Sequence, residues 1–181
     1  TLFPYTMLFI DTLPNLRIEG IDVIRTVAHE KMRSYYDASE MVGAMRSPFI
    51  KKILFQDGYD QIVMLDADIY CYAPLTPFFD ALDHASIALT PHVNSPIPND
   101  GYLPDDAELQ VAGFVNNGCC AVRKDARAKE ALDWLEKKAE HQCFLIKELN
   151  LYNEQTWVSF LPWYFPEAVY LVRDLGMNVA Y

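Results

Sequence analysis

Short apolar runs alternate along the chain with segments whose apolar residues recur at helical spacing. Short apolar runs bounded by polar or turn residues favour β-strands. The predicted strands are Tyr5–Ile10, Glu19–Ile24, Gln61–Leu65, Ser86–Leu89, Gly118–Arg123 and Glu167–Val172. Strands that alternate with helices predict an α/β fold.

The segment Asp37–Phe55 is predicted to be a helix because its apolar residues recur on one face. Asp37 or Ser39 would cap its first turn, and Pro48 would kink the helix or split it. A second long helix is predicted over Asp125–His141, with Asp125 as its N-cap.

Shorter helices are predicted within Pro74–Leu82 and over Glu154–Leu161, where Pro162 would end the helix. The stretch from Pro91 to Asp106 contains several prolines and is predicted to be an irregular loop. A loop of this length in a compact domain is typically a functional lid or a mobile segment.

The predicted strand Gln61–Leu65 leads directly into two acids, Asp66 and Asp68. If the strand continues, residues two apart share a face, so both carboxylates would lie together at its carboxyl end. Open α/β sheets bind ligands at that end, and a divalent cation would offset the repulsion between the acids. The alternative is a pair of exposed acids that close a strand without any ligand.

Composition narrows the possible partners. The chain has 181 residues, a usual size for one domain, and a formal net charge of −10, which disfavours nucleic acid as a partner. No apolar run is long enough to predict a membrane span. The four cysteines include no Cys-x-x-Cys pair, which favours reduced thiols in a cytoplasmic protein.

Three segments together resemble a known family of enzymes. The phrase YDQIVMLDADIYCYAPL is similar to the metal-binding segment of GT-A-fold glycosyltransferases, in particular the glycogenin-like and lipopolysaccharide-galactosyltransferase-like group (family eight). Phe114–Gly118 is similar to that family's Phe/Tyr-Asn-x-Gly element, and Asn153–Val158 to its Asp-Gln element. The resemblance extends over roughly residues 35 to 181.

The resemblance implies a GT-A (nucleotide-diphospho-sugar transferase) fold, with a Rossmann-like mixed central sheet flanked by helices. It implies a single catalytic domain that transfers a sugar from a nucleotide-sugar donor to a glycan, lipid or protein hydroxyl, with retention of configuration. The family's first strand would precede Thr1, and a metal-binding histidine would follow Tyr181.

By the same resemblance, Asp66 and Asp68 would bind Mn²⁺ or Mg²⁺ against the donor diphosphate, and Asp66 would also contact the ribose. Arg46 would contact the donor; its alternative role is that of a solvated helix residue. A lone loop histidine, His92, would either reach a metal or form part of the polar surface.

Asn116 and Asn117 would bind the nucleotide-sugar, whereas Asn-Asn-Gly is also ordinary turn chemistry. By the resemblance, Gln155 and Glu154 would be the catalytic residues: Gln155 would lie near the anomeric carbon, and Glu154 stands where the family usually has Asp. The alternative for Glu154 and Gln155 is the first turn of a helix, where the helix dipole favours acids.

Two other classes of function compete with a transferase. A haloacid-dehalogenase-like phosphatase also has a strand followed by Asp-x-Asp, with the first Asp as nucleophile. That class has Thr or Val close after the second Asp, whereas Ile69 and Tyr70 follow here. The third class is a non-catalytic sugar-binding module on a glycosyltransferase fold.

Overall fold

The computed structural model describes residues 16–24 and 26–177. The predicted strand Tyr5–Ile10 lies outside the described residues. The helices are α1 (Val27–Met32), α2 (Ala38–Lys51), α3 (Thr76–Leu82), α4 (Asp106–Ala112), α5 (Ala126–Gln142), α6 (Gln155–Val158) and α7 (Leu161–Tyr164). The strands are β1 (Gln61–Leu65), β2 (Ile87–Pro91), β3 (Val115–Arg123), β4 (Leu145–Ile146), β5 (Leu151–Tyr152) and β6 (Val169–Leu171).

Four of the strands form a mixed sheet in the order β1-β3-β2-β6. Strand β3 is antiparallel to both of its neighbours, β1 and β2, whereas β6 is parallel to β2. The carboxyl ends of β1 and β2 and the beginning of β3 therefore meet at one edge of the sheet. The protein is thus a mixed α/β fold, as the alternating pattern predicts.

Helices cover both faces of this sheet. On one face, Ile87, Leu89, Cys120 and Val122 pack with side chains of α2, α5, α6 and α7. On the other face, Ala88, Cys119 and Ala121 pack against α3. Successive residues of a strand point to opposite faces, so Cys119 and Cys120 are buried on different sides of the sheet.

The two long helices begin where the sequence predicts. Asp37 caps α2 in a reciprocal capping box with Glu40, and Asp125 caps α5 by accepting a hydrogen bond from the Ala128 backbone N–H. Helix α2 continues through Pro48, so no split occurs at that residue. The helix changes instead to a π-helical turn over Lys52–Gln56.

Other predictions were wrong in detail. Glu19–Ile24 is not a strand: Ile21–Val23 form a 3-10 turn held by local backbone bonds. The predicted helix Glu154–Leu161 is two short helices, and Pro162 lies in the first turn of the second one rather than at the end of the first. Within the described residues, no helix is long and apolar enough to span a membrane.

Candidate active site at the carboxyl end of β1

The two acids follow β1 in a turn, not in a continued strand. Strand β1 ends at Leu65, and a hydrogen bond from Ile69 N to the Asp66 carbonyl oxygen (3.1 Å) closes a turn over the motif. The Asp66 backbone N–H donates to the Gly118 carbonyl oxygen (2.8 Å), which ties the turn to β3. The predicted strand Gln61–Leu65 is therefore confirmed, but it does not continue through Asp68, so the condition for a shared strand face is not met.

The two carboxylates nevertheless influence each other. Asp68 is exposed, whereas the Asp66 side chain is 36% exposed. Burial raises the pKa of Asp66, and the Asp68 carboxylate raises it further. The Arg46 guanidinium lowers it, but the pKa of Asp66 stays above its usual value. The acid pair is thus a local concentration of negative charge, which a cation would relieve.

Arg46 on α2 joins the turn that contains both acids (the acid turn, Asp66–Asp68) to two other segments. One of its terminal nitrogens forms an ion pair with the Asp66 carboxylate. The other, Nη1, donates to the Asn117 carbonyl oxygen (2.8 Å) and lies 3.0 Å from Glu154 Oε1. The Arg46 side chain is only 20% exposed, so it is a partly buried crosslink and not the solvated helix residue of the alternative interpretation.

Glu154 is held on three sides. Besides the ion pair with Arg46, its Oε1 accepts a hydrogen bond from Asn117 Nδ2 (3.1 Å). Its side chain is 12% exposed and packs against α2 at Gly43. Arg46 and Asn117 thus fix the position of the Glu154 carboxylate.

Gly43 provides the space for Glu154, and the sequence analysis did not identify it. A Cβ at Gly43 would lie 2.0 Å from Glu154 Oε2 and 3.3 Å from Cys143 Sγ. A glycine inside a helical pattern is a weak signal of close packing, and that signal was available in the sequence.

We expect Gly43→Ala to lower the free energy of unfolding by about 1–2 kcal/mol. A Cβ at this position would displace the Glu154 carboxylate from Arg46 and Asn117, and the helix preference of alanine, about 1 kcal/mol, offsets only part of that loss. Urea denaturation measures the change. The matched control is Val42→Ala on the same helix, since the Val42 side chain is exposed and its loss should change the midpoint little. An unchanged urea midpoint in Gly43→Ala would contradict the assigned contact.

The two asparagines have different environments. A register shift between β2 and β3 leaves Asn117, Gly118 and Cys119 between the pairs Thr90–Asn116 and Leu89–Cys120. Asn116 Oδ1 accepts a hydrogen bond from the Gly118 N–H (3.0 Å), but both residues lie in strand β3 and not in the turn of the alternative interpretation. Asn117, which is buried, is the asparagine that joins Arg46 and Glu154.

Both ends of the Gln155 amide are fixed by backbone groups. Its Nε2 donates to the Ala112 carbonyl oxygen (2.7 Å), and its Oε1 accepts from the Asn117 N–H (3.3 Å). Each end of an amide can form a second hydrogen bond. Gln155 is therefore a rigidly oriented amide at the start of α6, with capacity left for a ligand.

Arg46, Asp66, Glu154 and Gln155 border a cleft of about 310 Å³, whereas Asn117 and Asp68 are not part of its wall. Its walls include Ser39 and Gly43 of α2, the acid Asp66, and the segment from Tyr152 to Gln155. A larger groove of about 760 Å³ runs along β1 and α2 and shares Arg46 and Asp66 with the first cleft. Arg46 and Asp66 thus border both the cleft and the groove.

The donor set fits a cation that is shared with a phosphate. Among residues 16–24 and 26–177, no group of three or more His, Cys, Asp or Glu side chains could hold a metal ion by itself. Mg²⁺ is usually held by one or two carboxylates together with substrate phosphates, and Asp66 and Asp68 supply two. Each carboxylate has two oxygens, so Asp66 can pair with Arg46 and still bind a cation.

His92 lies outside this set of contacts. Its Nδ1 donates to the Gly113 carbonyl oxygen, 2.7 Å away, and its ring is half-buried. Burial lowers the pKa of His92, an effect that the Gly113 hydrogen bond opposes. His92 is therefore a wall residue between β2 and α4 and not the exposed polar residue that the sequence favours.

Comparison with known proteins adds little to this description. No protein-family model matches the sequence. The chain is 19% identical over 175 residues to the uncharacterized protein YfnF of Bacillus subtilis (strain 168). That alignment covers 93% of this chain and 57% of the relative, so the chain spans little more than half of the relative's length. These comparisons assign no function to the chain.

Proposed function

We propose that this chain is the donor-binding core of a metal-dependent glycosyltransferase with a GT-A fold. The observation that carries the proposal is the meeting of the acid turn Asp66–Asp68, Arg46, Asn117 and the Glu154–Gln155 segment at one edge of the sheet. Open α/β sheets bind ligands at the carboxyl ends of their strands. The motif order that resembles the family-eight enzymes supports the same assignment.

The proposed reaction transfers a sugar from a nucleoside diphosphate to a hydroxyl of a glycan, lipid or protein. The acceptor oxygen bonds to the anomeric carbon, the bond from that carbon to the diphosphate oxygen breaks, and the acceptor proton leaves with the diphosphate. Retention of configuration is part of the proposal through the family resemblance.

Asp66 and Asp68 would hold Mn²⁺ or Mg²⁺, which supplies Lewis-acid neutralisation of the departing diphosphate when it is bound. Asp66 is the better ordered of the two, since its backbone and side chain are both fixed. Asp68 is exposed and free to turn toward a phosphate-bound ion.

Arg46, Glu154 and Gln155 would orient the donor. A guanidinium has five N–H donors, so Arg46 can keep its protein contacts and still face a diphosphate. Glu154 would act through Arg46 and Asn117 as a positioning residue. Gln155, whose amide is held at both ends, would offer its remaining N–H to a sugar hydroxyl or to the anomeric region.

The test is titration calorimetry with UDP, GDP and ADP, each with and without Mn²⁺. We expect one of these nucleotides to bind only when Mn²⁺ is present, and Asp68→Ala to weaken that binding by about 10- to 100-fold without lowering stability. Asp83→Ala, which removes another exposed acid, is the matched control and should bind as the wild type does.

Three outcomes would overturn the proposal. The first is the absence of metal-dependent binding for all three nucleotides. The second is binding of glycans without any nucleotide, which would indicate a sugar-binding module. The third is release of inorganic phosphate from sugar phosphates, which would indicate a phosphatase.

A further inference from the structure

A second pocket lies on the other side of Tyr152 from the cleft that contains Asp66. Its volume is about 580 Å³, within the range of about 300–1,000 Å³ typical of small-molecule sites. Helix α4, the irregular segment before it, and the hairpin of β4 and β5 form its walls. The proposed function assigns no ligand to this space.

The pocket adjoins the candidate active site at two residues. Tyr152 borders both this pocket and the cleft with Asp66, Glu154 and Gln155. The Gln155 amide donates to the carbonyl oxygen of Ala112, a residue of the pocket wall (2.7 Å). A molecule in the pocket would therefore be separated from the cleft by the Tyr152 side chain.

The walls of the pocket are mainly apolar. Carbon-rich side chains from three segments line it: Val93, Leu103, Pro104, Ala107, Leu109 and Val111. Two of the polar wall residues are already bonded: His92 donates to the Gly113 carbonyl oxygen, and Asp105 caps α4 by accepting from the Glu108 N–H. The exposed Glu108 also borders the pocket. Lys147 lies with its Nζ 5.7 Å from the centre of the Tyr152 ring.

Sugars and apolar groups need different surroundings. A sugar ring presents several hydroxyls, which lose hydrogen bonds to water unless a pocket supplies donors and acceptors. An alkyl or aryl group gains free energy in proportion to the apolar area that leaves the water. The composition of these walls favours the second kind of ligand.

We propose that this pocket binds the apolar portion of an amphiphilic acceptor, with the acceptor hydroxyl directed past Tyr152 toward Gln155. The proposal depends on the transferase function and selects within it: the acceptor carries an alkyl or aryl group and is not a plain oligosaccharide. The wall residue Tyr152, which the pocket shares with the cleft, distinguishes this role from that of a separate regulatory site.

The experiment compares binding of methyl, butyl and octyl β-D-glucopyranoside below their micelle concentrations, in the presence of UDP and Mn²⁺. We expect affinity to rise by about two- to fourfold for each added methylene until the pocket is filled. Equal affinity for the methyl and octyl compounds would overturn the proposal.

Two tryptophan variants on α4 locate the effect. Ala107 is exposed and lines the pocket, whereas Gln110 is exposed on the same helix but is not part of the wall. Ala107→Trp should abolish the gain from the longer alkyl chain, while Gln110→Trp should keep it. If both variants keep the gain, the alkyl group binds elsewhere and the proposal is wrong.

The nucleotide titration separates failure of this proposal from failure of the proposed function. Ala107→Trp should bind nucleotide and Mn²⁺ as the wild type does, because Ala107 is not part of the cleft at Asp66. If wild-type protein binds nucleotide but shows no preference for long chains, only the acceptor proposal fails. If it binds no nucleotide, the transferase function fails, and the acceptor role fails with it.

Discussion

Arg46→Met is expected to lower the free energy of unfolding by about 2–4 kcal/mol, because it leaves two partly buried carboxylates without their cation. Arg46 pairs with Asp66 and Glu154 and donates to the Asn117 carbonyl oxygen. This expected loss of unfolding free energy is smaller than for a fully buried ion pair because Asp66 keeps some contact with water. Urea denaturation monitored by tryptophan fluorescence measures it.

A second substitution tests the cause of that loss. In the Arg46→Met background, Glu154→Gln removes one of the uncompensated charges, so about 1–2 kcal/mol should return. Arg127→Met is the matched control: Arg127 is exposed and donates only to the Glu167 carbonyl oxygen, so its loss should cost less than about 1 kcal/mol. Additive losses from Arg46→Met and Glu154→Gln would show that the ion pair contributes nothing.

Asp125→Ala is expected to cost about 2–3 kcal/mol, more than a helix cap alone. Asp125 accepts the cap hydrogen bond from the Ala128 N–H (2.8 Å) and another from the fully buried Ser86 hydroxyl (2.7 Å). Its partner of opposite charge is Arg123, whose Nη2 lies 3.2 Å from Asp125 Oδ2. Asp105→Ala is the matched control, since Asp105 caps the short α4 with a single bond and is exposed.

The Asp125 contribution should also depend on pH. Burial raises the pKa of Asp125, but the bonds from Ala128, Ser86 and Arg123 outweigh it and leave the pKa below its usual value. A lowered folded-state pKa means that the stabilisation is present above the unfolded pKa, about 3.9, and is lost as pH falls through the folded value. Wild type and Asp125→Ala should therefore converge below about pH 3.9. A difference that stays constant to the lowest pH would contradict the electrostatic part of this account.

The elements that the sequence predicted well are those whose apolar pattern and caps agree. Strand β1 has the predicted bounds, Gln61–Leu65, because it is a short apolar run between a turn and two acids. Helix α5 begins after its Asp125 cap, and its apolar stripe is the buried face: Ala128, Leu132, Leu135 and Ala139. Apolar periodicity and helix capping depend on local geometry, so the sequence predicts these elements without knowledge of tertiary contacts.

The elements that the sequence missed depend on contacts from elsewhere in the chain. Helix α4 is a seven-residue helix that begins at the end of the predicted irregular loop, and β4 and β5 have two residues each. Elements of this length have too few residues for a periodic signal. The 3-10 turn at Ile21–Val23 replaced a predicted strand, since an isolated strand has no partner to satisfy its backbone groups.

The family resemblance predicts the site residues Asp66, Asp68, Arg46, Asn116, Asn117, Glu154 and Gln155. The structure brings Asp66, Asn117 and Glu154 together around Arg46, and Gln155 joins them through its bond to the Asn117 N–H. Their roles in binding and catalysis stay predictions. Gly43 gives only a weak signal in the sequence, because its contact with Glu154 depends on how α2 packs against a segment more than a hundred residues away. The bond between Asn117 and Glu154 also joins segments that the sequence pattern does not bring together.

The ion pairs of Arg46 connect stretches that are remote along the backbone, from α2 through β1 and β3 to α6. Fragments that stop short of residue 154 therefore lack part of the ligand environment, whatever local structure they retain. Ligand occupancy should thus shift the melting of the whole unit as a single cooperative step and not protect one hairpin. In cells, such coupling would let any ligand bound in the cleft beside Asp66 slow degradation of the folded unit.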